Sequence, residues 1–123
     1  MRRTIPTTNL ASFEAICSRL WAAYNVVHLA PRYLRTHGSI TLISGSSGKR
    51  PQIGLGVFGA LHGAIEALGR SAAIELAPLR VNTVSPGGIG VSPTNQLLPH
   101  HSSFDELAAA VLGLMNNPAI TGA

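Results

Sequence analysis

Two loops gather the residues that could do chemistry. Gly-Ser-Ser-Gly-Lys-Arg (45–50) sets two hydroxyls and two cations beside glycines, and Pro-Gly-Gly-Ile (86–89) offers a tight turn with open backbone. The first loop is glycine-rich before a lysine, but it lacks the four-residue gap and the Ser/Thr after Lys49 of a phosphate-binding P-loop, so it reads as a surface turn. Ser46 and Ser47 follow a strand, as a hydrolase nucleophile does. Neither fits Gly-x-Ser-x-Gly, and a further stretch separates them from the next helix, which leaves serine hydrolysis as the outlying hypothesis. His28, His62, His100 and His101 have no metal-ligand spacing and no carboxylate or thiol cluster beside them, so no metal site is expected. Phe58 and His62 stand four apart and share a face if that segment is helical, but a phenyl ring has no proton to relay. Cys17, at an apolar helical position, is read as core rather than nucleophile.

The elements that must position these loops are legible from pattern. An apolar run at 39–44 and another at 80–85 flank a small-residue helix at 57–77, which makes a βαβ unit with two parallel strands. A right-handed crossover puts the loops after both strands on one edge of the sheet, and ligands of open α/β sheets bind outside that edge. Ahead of the unit, Ser12 is the expected N-cap, with Glu14 in the first turn, of a helix carrying Phe13, Ile16, Cys17, Leu20, Tyr24 and Val27 at three- and four-residue spacing. Pro31 should end or kink it. A last helix is expected at 104–115, with Asp105 and Glu106 complementing its dipole. No repeat or low-complexity linker interrupts the chain.

Three strings carry a resemblance. Gly-Ser-Ile-Thr-Leu-Ile-Ser (38–44), Ala-Ile-Glu-Ala-Leu-Gly-Arg-Ser-Ala-Ala-Ile-Glu-Leu-Ala (64–77) and Arg-Val-Asn-Thr-Val-Ser-Pro-Gly-Gly-Ile (80–89) resemble the second half of a short-chain dehydrogenase/reductase. Leu-Trp-Ala-Ala-Tyr-Asn-Val-Val (20–27) and Asn-Pro-Ala-Ile-Thr-Gly (117–122) extend the likeness over nearly the whole chain. The resemblance implies an α/β fold: a partial Rossmann-like, doubly wound domain spanning residues 1–123, in which the βαβ unit is flanked by helices. It further implies an NAD(P)-dependent oxidoreductase acting on a small-molecule substrate, read by a variable loop that falls here at 91–103.

The same resemblance marks where this chain departs. The family's serine, tyrosine, lysine and asparagine fall at Gly45, Phe58, His62 and Arg19, and all four are substituted. A phenylalanine cannot give or take a proton, and a neutral imidazole does not supply the permanent charge that lowers a phenol pKa. The family anchors NAD or NADP on a Gly-x-x-x-Gly-x-Gly turn after its first strand, and no such pattern stands near the start of this chain. The first, nucleotide-binding half is therefore expected to be absent, the family's last strand beyond Ala123 likewise, and the cofactor unbound by this chain alone. Residual cofactor contacts are expected at Pro86, Gly87, Gly88 and Ile89, with Val91 where the family has threonine. The resulting expectation is an oxidoreductase-family chain inactive or impaired in hydride transfer; the alternative is a non-catalytic relative that keeps the dimerisation helices.

Composition fits part of a soluble domain. The 123 residues are 46% hydrophobic, enough for a core, while only 11% are charged. The net charge of +4 comes from dispersed residues with no aromatic stacking motif, which argues against nucleic acid. No run approaches the roughly twenty apolar residues of a membrane span, and the N-terminus has no signal-peptide core. The single Cys17 excludes an internal disulfide and suits a reducing cytoplasm. The 57–77 helix is apolar nearly all round, with Leu61, Ala64, Ile65, Leu68 and Ala72 as its main stripe, Ala60, Ala67 and Ala73 opposite, and Glu66, Arg70 and Glu75 as its only charges. Such a helix is expected to be buried nearly all round. In the resembled family it builds a four-helix dimer interface with the helix before the first strand. Homo-oligomerisation through 13–34 and 57–77 is the expectation that follows.

Overall fold

A computed structural model of the chain describes residues 4–89 and 98–123. Its three long helices are α1 (Leu10–Leu29), α2 (Gly56–Glu75) and α3 (Phe104–Asn116), and its two strands are β1 (Ser39–Ile43) and β2 (Arg80–Val84). The strands pair in parallel, Ser39 opposite Arg80 through Ile43 opposite Val84, with α2 as the crossover. The expected βαβ unit is thus present. Pro31 lies in a short 3-10 turn, Ala30–Arg32, that directly follows α1, so the helix stops where proline removes an amide donor.

Side-chain alternation explains the core. Ile40 and Leu42 leave β1 on one face and are both buried, whereas Ile43, on the other, is half exposed. Val27 of α1, Leu61, Ile65, Ala72 and Ala73 of α2, and the fully enclosed Val81 complete the same cluster. Asn82, next along β2, is equally enclosed on the opposite face, and a buried amide must find partners. Its Nδ2 donates to Ile120 O at 2.9 Å and its Oδ1 accepts from Ala123 N at 3.0 Å. Together with Gly122 N donating to Val81 O at 2.8 Å, these bonds lay the C-terminal residues along the second edge of β2.

Arg80 joins α3 to the sheet. One guanidinium nitrogen donates to Leu114 O at 2.8 Å and Ile120 O at 3.2 Å, and another donates to Met115 O at 2.8 Å. The last carbonyls of a helix have no partner within the helix, so a planar cation satisfies two of them and the dipole at once.

Two local expectations are corrected, and the start of the last helix gains a detail. The N-cap of α1 is Asn9, whose side chain accepts from Ser12 N at 2.9 Å, and Ser12 sits one turn inside; the start is earlier because the amide of Asn9 captures the orphan donor first. α3 opens on a capping box, in which Ser103 and Glu106 bond reciprocally to each other's backbone amides. Within this chain α2 is not buried all round: Ala60, Ala67 and Ile74 are exposed, and the covered side is the one toward β2, α1 and the loop after β1. Ala73 belongs to that covered face, and so does Glu66, one of the helix's three charges.

Candidate functional site

The loop after β1 folds into a 3-10 turn, Ser46–Gly48, that lies directly on α2. Glycine makes this approach possible. A Cβ at Gly48 would stand 3.0 Å from Gly63 N and 3.1 Å from the His62 carbonyl carbon, tighter than side-chain carbons ordinarily pack. The loop after β2 is tied to the same place, because Ser46 N donates to Pro86 O at 2.9 Å. Both strand-end loops and the first turns of α2 therefore share one edge of the sheet.

At that edge the four substituted positions come together. The Arg19 guanidinium carbon lies 6.0 Å from the centre of the Phe58 ring, within cation–π range. Phe58 in turn lies 6.1 Å from His62, centroid to centroid, on the same face of α2. A Cβ built on Gly45 would fall 2.5 Å from Cε1 and 2.7 Å from Nδ1 of His62, so the imidazole occupies the volume a side chain at 45 would use. His62 Nδ1 makes a 2.8 Å hydrogen bond with Ser47 Oγ, and Ser47 is buried. Burial, and then the positive charge of Arg19, hold the His62 pKa below its ordinary 6.5, against a weaker opposing pull from Glu66. A neutral ring at this point can accept one proton, but position 58 has no phenol and position 62 no lysine to complete the family's proton relay.

Beneath this row is a polar cluster that sequence reasoning missed. Glu66, one turn beyond His62 and only 6% exposed, accepts from Ser85 Oγ at 2.7 Å and Ser44 Oγ at 3.0 Å. Its second oxygen faces Lys49 Nζ at 4.0 Å. Burial alone would raise its pKa; the bonds from Ser85 and Ser44, then the charges of Lys49 and Arg70, outweigh that and leave it lowered. A signal for the cluster existed. Extending the strand register by one places Ser44 opposite Ser85, and Glu66 lies eight residues after Phe58, on the same helical face.

Of the residual cofactor positions, Gly87 and Gly88 are exposed, Pro86 and Ile89 are half-buried, and Ile89 bridges to Ser102. Val91 and most of the expected substrate-reading loop fall outside the described residues. Gly54, Gly56 and Gly59 have the spacing of a dinucleotide fingerprint, but they follow a loop rather than a strand end. A Cβ at Gly56 would meet the Ile5 side chain at 2.7 Å, and one at Gly59 would meet Ser47 O at 3.0 Å, so two of the three serve packing. Cys17 is half-buried on α1, and His28 stacks on Tyr24 with centroids 5.6 Å apart. Among the described residues no group of three or more His, Cys, Asp or Glu is placed to hold a metal, and no helix is long and apolar enough to cross a membrane.

Comparison with known proteins agrees with this geometry. A family model described as enoyl-(acyl carrier protein) reductase matches residues 2–118. A short-chain dehydrogenase/reductase, ATR9, of Stachybotrys chlorohalonatus (strain IBT 40285) is 39% identical over 97 residues, which are 73% of this chain and 37% of that protein. Among solved structures, a small-chain dehydrogenase in complex with NADPH superposes with a TM-score of 0.89 at 26% identity, over 98% of this chain and 64% of that one. The MalC reductase/Diels-Alderase of Malbranchea aurantiaca gives 0.84 at 28% identity, over 98% of this chain and 53% of that one. The chain thus spans 37% of the length of the curated relative ATR9, and its two-stranded parallel sheet with flanking helices superposes on part of these larger structures. With the βαβ unit, the strand-end loops and a family model covering almost every residue in agreement, this chain belongs to the short-chain dehydrogenase/reductase family.

Proposed function

We propose that the chain carries the substrate-side half of an NAD(P)-dependent oxidoreductase fold and that, by itself, it does not transfer hydride. The observation that carries this reading is the convergence of Arg19, Phe58, His62 and Gly45 at one edge with no hydroxyl on Phe58 or Gly45 and no lysine at 62. The side chains present do not fit a nicotinamide cofactor. The Pro86–Ile89 turn leaves Gly87 and Gly88 accessible, but Ile5 takes the space beside Gly56 at the start of α2, which follows a loop rather than a strand end, and the described residues supply no other glycine-lined helix start for a pyrophosphate. Following reduced-nicotinamide absorbance with a panel of ketones and aldehydes tests this; turnover above the enzyme-free rate overturns it.

A self-associating, non-catalytic role is the second reading, and a specific surface favours it. α1 exposes Phe13, Trp21, Tyr24 and Leu29 on a helix whose other side packs on α2, and α2 itself exposes Ala60, Ala67 and Ile74. Apolar side chains this dense on two adjacent helices support association between copies of the chain. Sedimentation velocity distinguishes the readings, since a monomer at micromolar concentration removes the support for the second.

A further inference from the structure

We propose that the residues at 45 and 62 form one interlocked exchange, with Ser47 as the positioning residue that pins the His62 ring into the space a side chain at 45 would occupy. The proposal stands on geometry and does not depend on whether the chain meets a nicotinamide. A Cβ at 45 would overlap the imidazole at two atoms, at 2.5 and 2.7 Å, with the third, Nε2, at 3.1 Å. A side-chain ring at the end of two rotatable bonds would ordinarily swing aside. Here Ser47 holds its Nδ1 at 2.8 Å, Phe58 flanks it, and Gly48 packs against its own backbone.

Two consequences separate this from ordinary crowding. A serine at 45 is excluded by the imidazole rather than by the β1 loop, so the exclusion disappears when the ring does. And the ring is held by one hydroxyl, so its proton arrangement depends on Ser47. An unbranched lysine stem at 62 would not fill the same volume with a planar ring. Accordingly, reverting the site toward a serine at 45 has an order: position 62 must change first.

The test is a double-mutant cycle on the full chain, with Gly45→Ser, His62→Ala and the two together, read as thermal midpoints. Gly45→Ser is expected to lower the midpoint by about 4 °C or more with His62 present, and by less than a third of that in the His62→Ala background. If Gly45→Ser fails to fold while the double variant folds, the interlock is supported. Equal shifts in both backgrounds, no shift with His62 present, or failure of both to fold would each overturn it. Nitrogen-15 NMR of the imidazole is the second readout. One neutral tautomer of His62 is expected to dominate in the parent, and Ser47→Ala should mix the two; an unchanged spectrum would remove Ser47 from the positioning role.

Discussion

Ser44 and Ser85 meet at 2.7 Å across the ends of the two paired strands, and both hydroxyls stand against the same oxygen of the buried Glu66. Two hydroxyl protons cannot fill three hydrogen bonds. The Ser85 proton goes to the carboxylate at 2.7 Å, and the Ser44 proton is shared between the carboxylate at 3.0 Å and Ser85 Oγ at 2.7 Å. This joint fastens the ends of β1 and β2 to α2, and so fixes where both strand-end loops begin.

Removing the carboxylate should therefore loosen the edge. Glu66→Ala is expected to cost about 1–3 kcal/mol in urea unfolding, because the Ser85 hydroxyl loses its acceptor inside the protein. Glu66→Gln should cost less, since its carbonyl oxygen still accepts from Ser85.

The same group sets an acid limb. The pKa of Glu66 is lowered from 4.5 in the folded chain, so the unfolded chain binds its proton first as pH falls. Its contribution is complete above about pH 4.5 and is lost as pH falls through the lower folded value. His62, lowered from 6.5, acts in the same sense at higher pH: stability present above 6.5 declines below it. Urea midpoints measured from pH 7 to pH 3 should show the lower limb flattened in Glu66→Gln and the upper one in His62→Ala.

Arg80→Lys should release the end of α3. Lysine keeps the charge but not the fork that reaches Leu114, Met115 and Ile120 together. We expect faster amide hydrogen exchange in α3 and about 1–2 kcal/mol lost stability, as for charge-assisted bonds partly removed. Exchange rates in α3 equal to those of the parent would show the fork to be dispensable.

Restoring chemistry will take more than a pair of residues. Phe58→Tyr with His62→Lys is expected to give no measurable cofactor turnover, since it rebuilds an acid and its charge partner without the hydroxyl at 45 or a phosphate cradle. Calorimetric titration of the parent chain should likewise show no micromolar dissociation constant for NADH or NADPH. Either signal would mean that the fold positions a nicotinamide without the glycine turn.

Self-association should respond to charge on the free side of α2. Ala67 is exposed within the chain, so Ala67→Arg is expected to leave the thermal midpoint unchanged while shifting sedimentation toward smaller species. An unaltered size distribution would place any interface elsewhere.

By itself the sequence determined the architecture. The apolar runs at 39–44 and 80–85, the small-residue helix between them and the proline after the first helix point to a parallel βαβ unit, and the wording of those segments points to the family. It also identified Gly45, Phe58, His62 and Arg19 as positions of interest, though only as isolated substitutions. Their meeting at one edge needed the crossover to be folded, because Arg19 and His62 lie on different helices and Gly45 on a loop. Tertiary structure alone decided the fate of charge and ring volume. Glu66 was legible only as one of three charges on an apolar helix, and it is a buried acceptor because the strand register sets two serines over it. Likewise, nothing local ties a glycine at 45 to an imidazole seventeen residues on; the link is shared space, which exists only after the loop has closed onto α2.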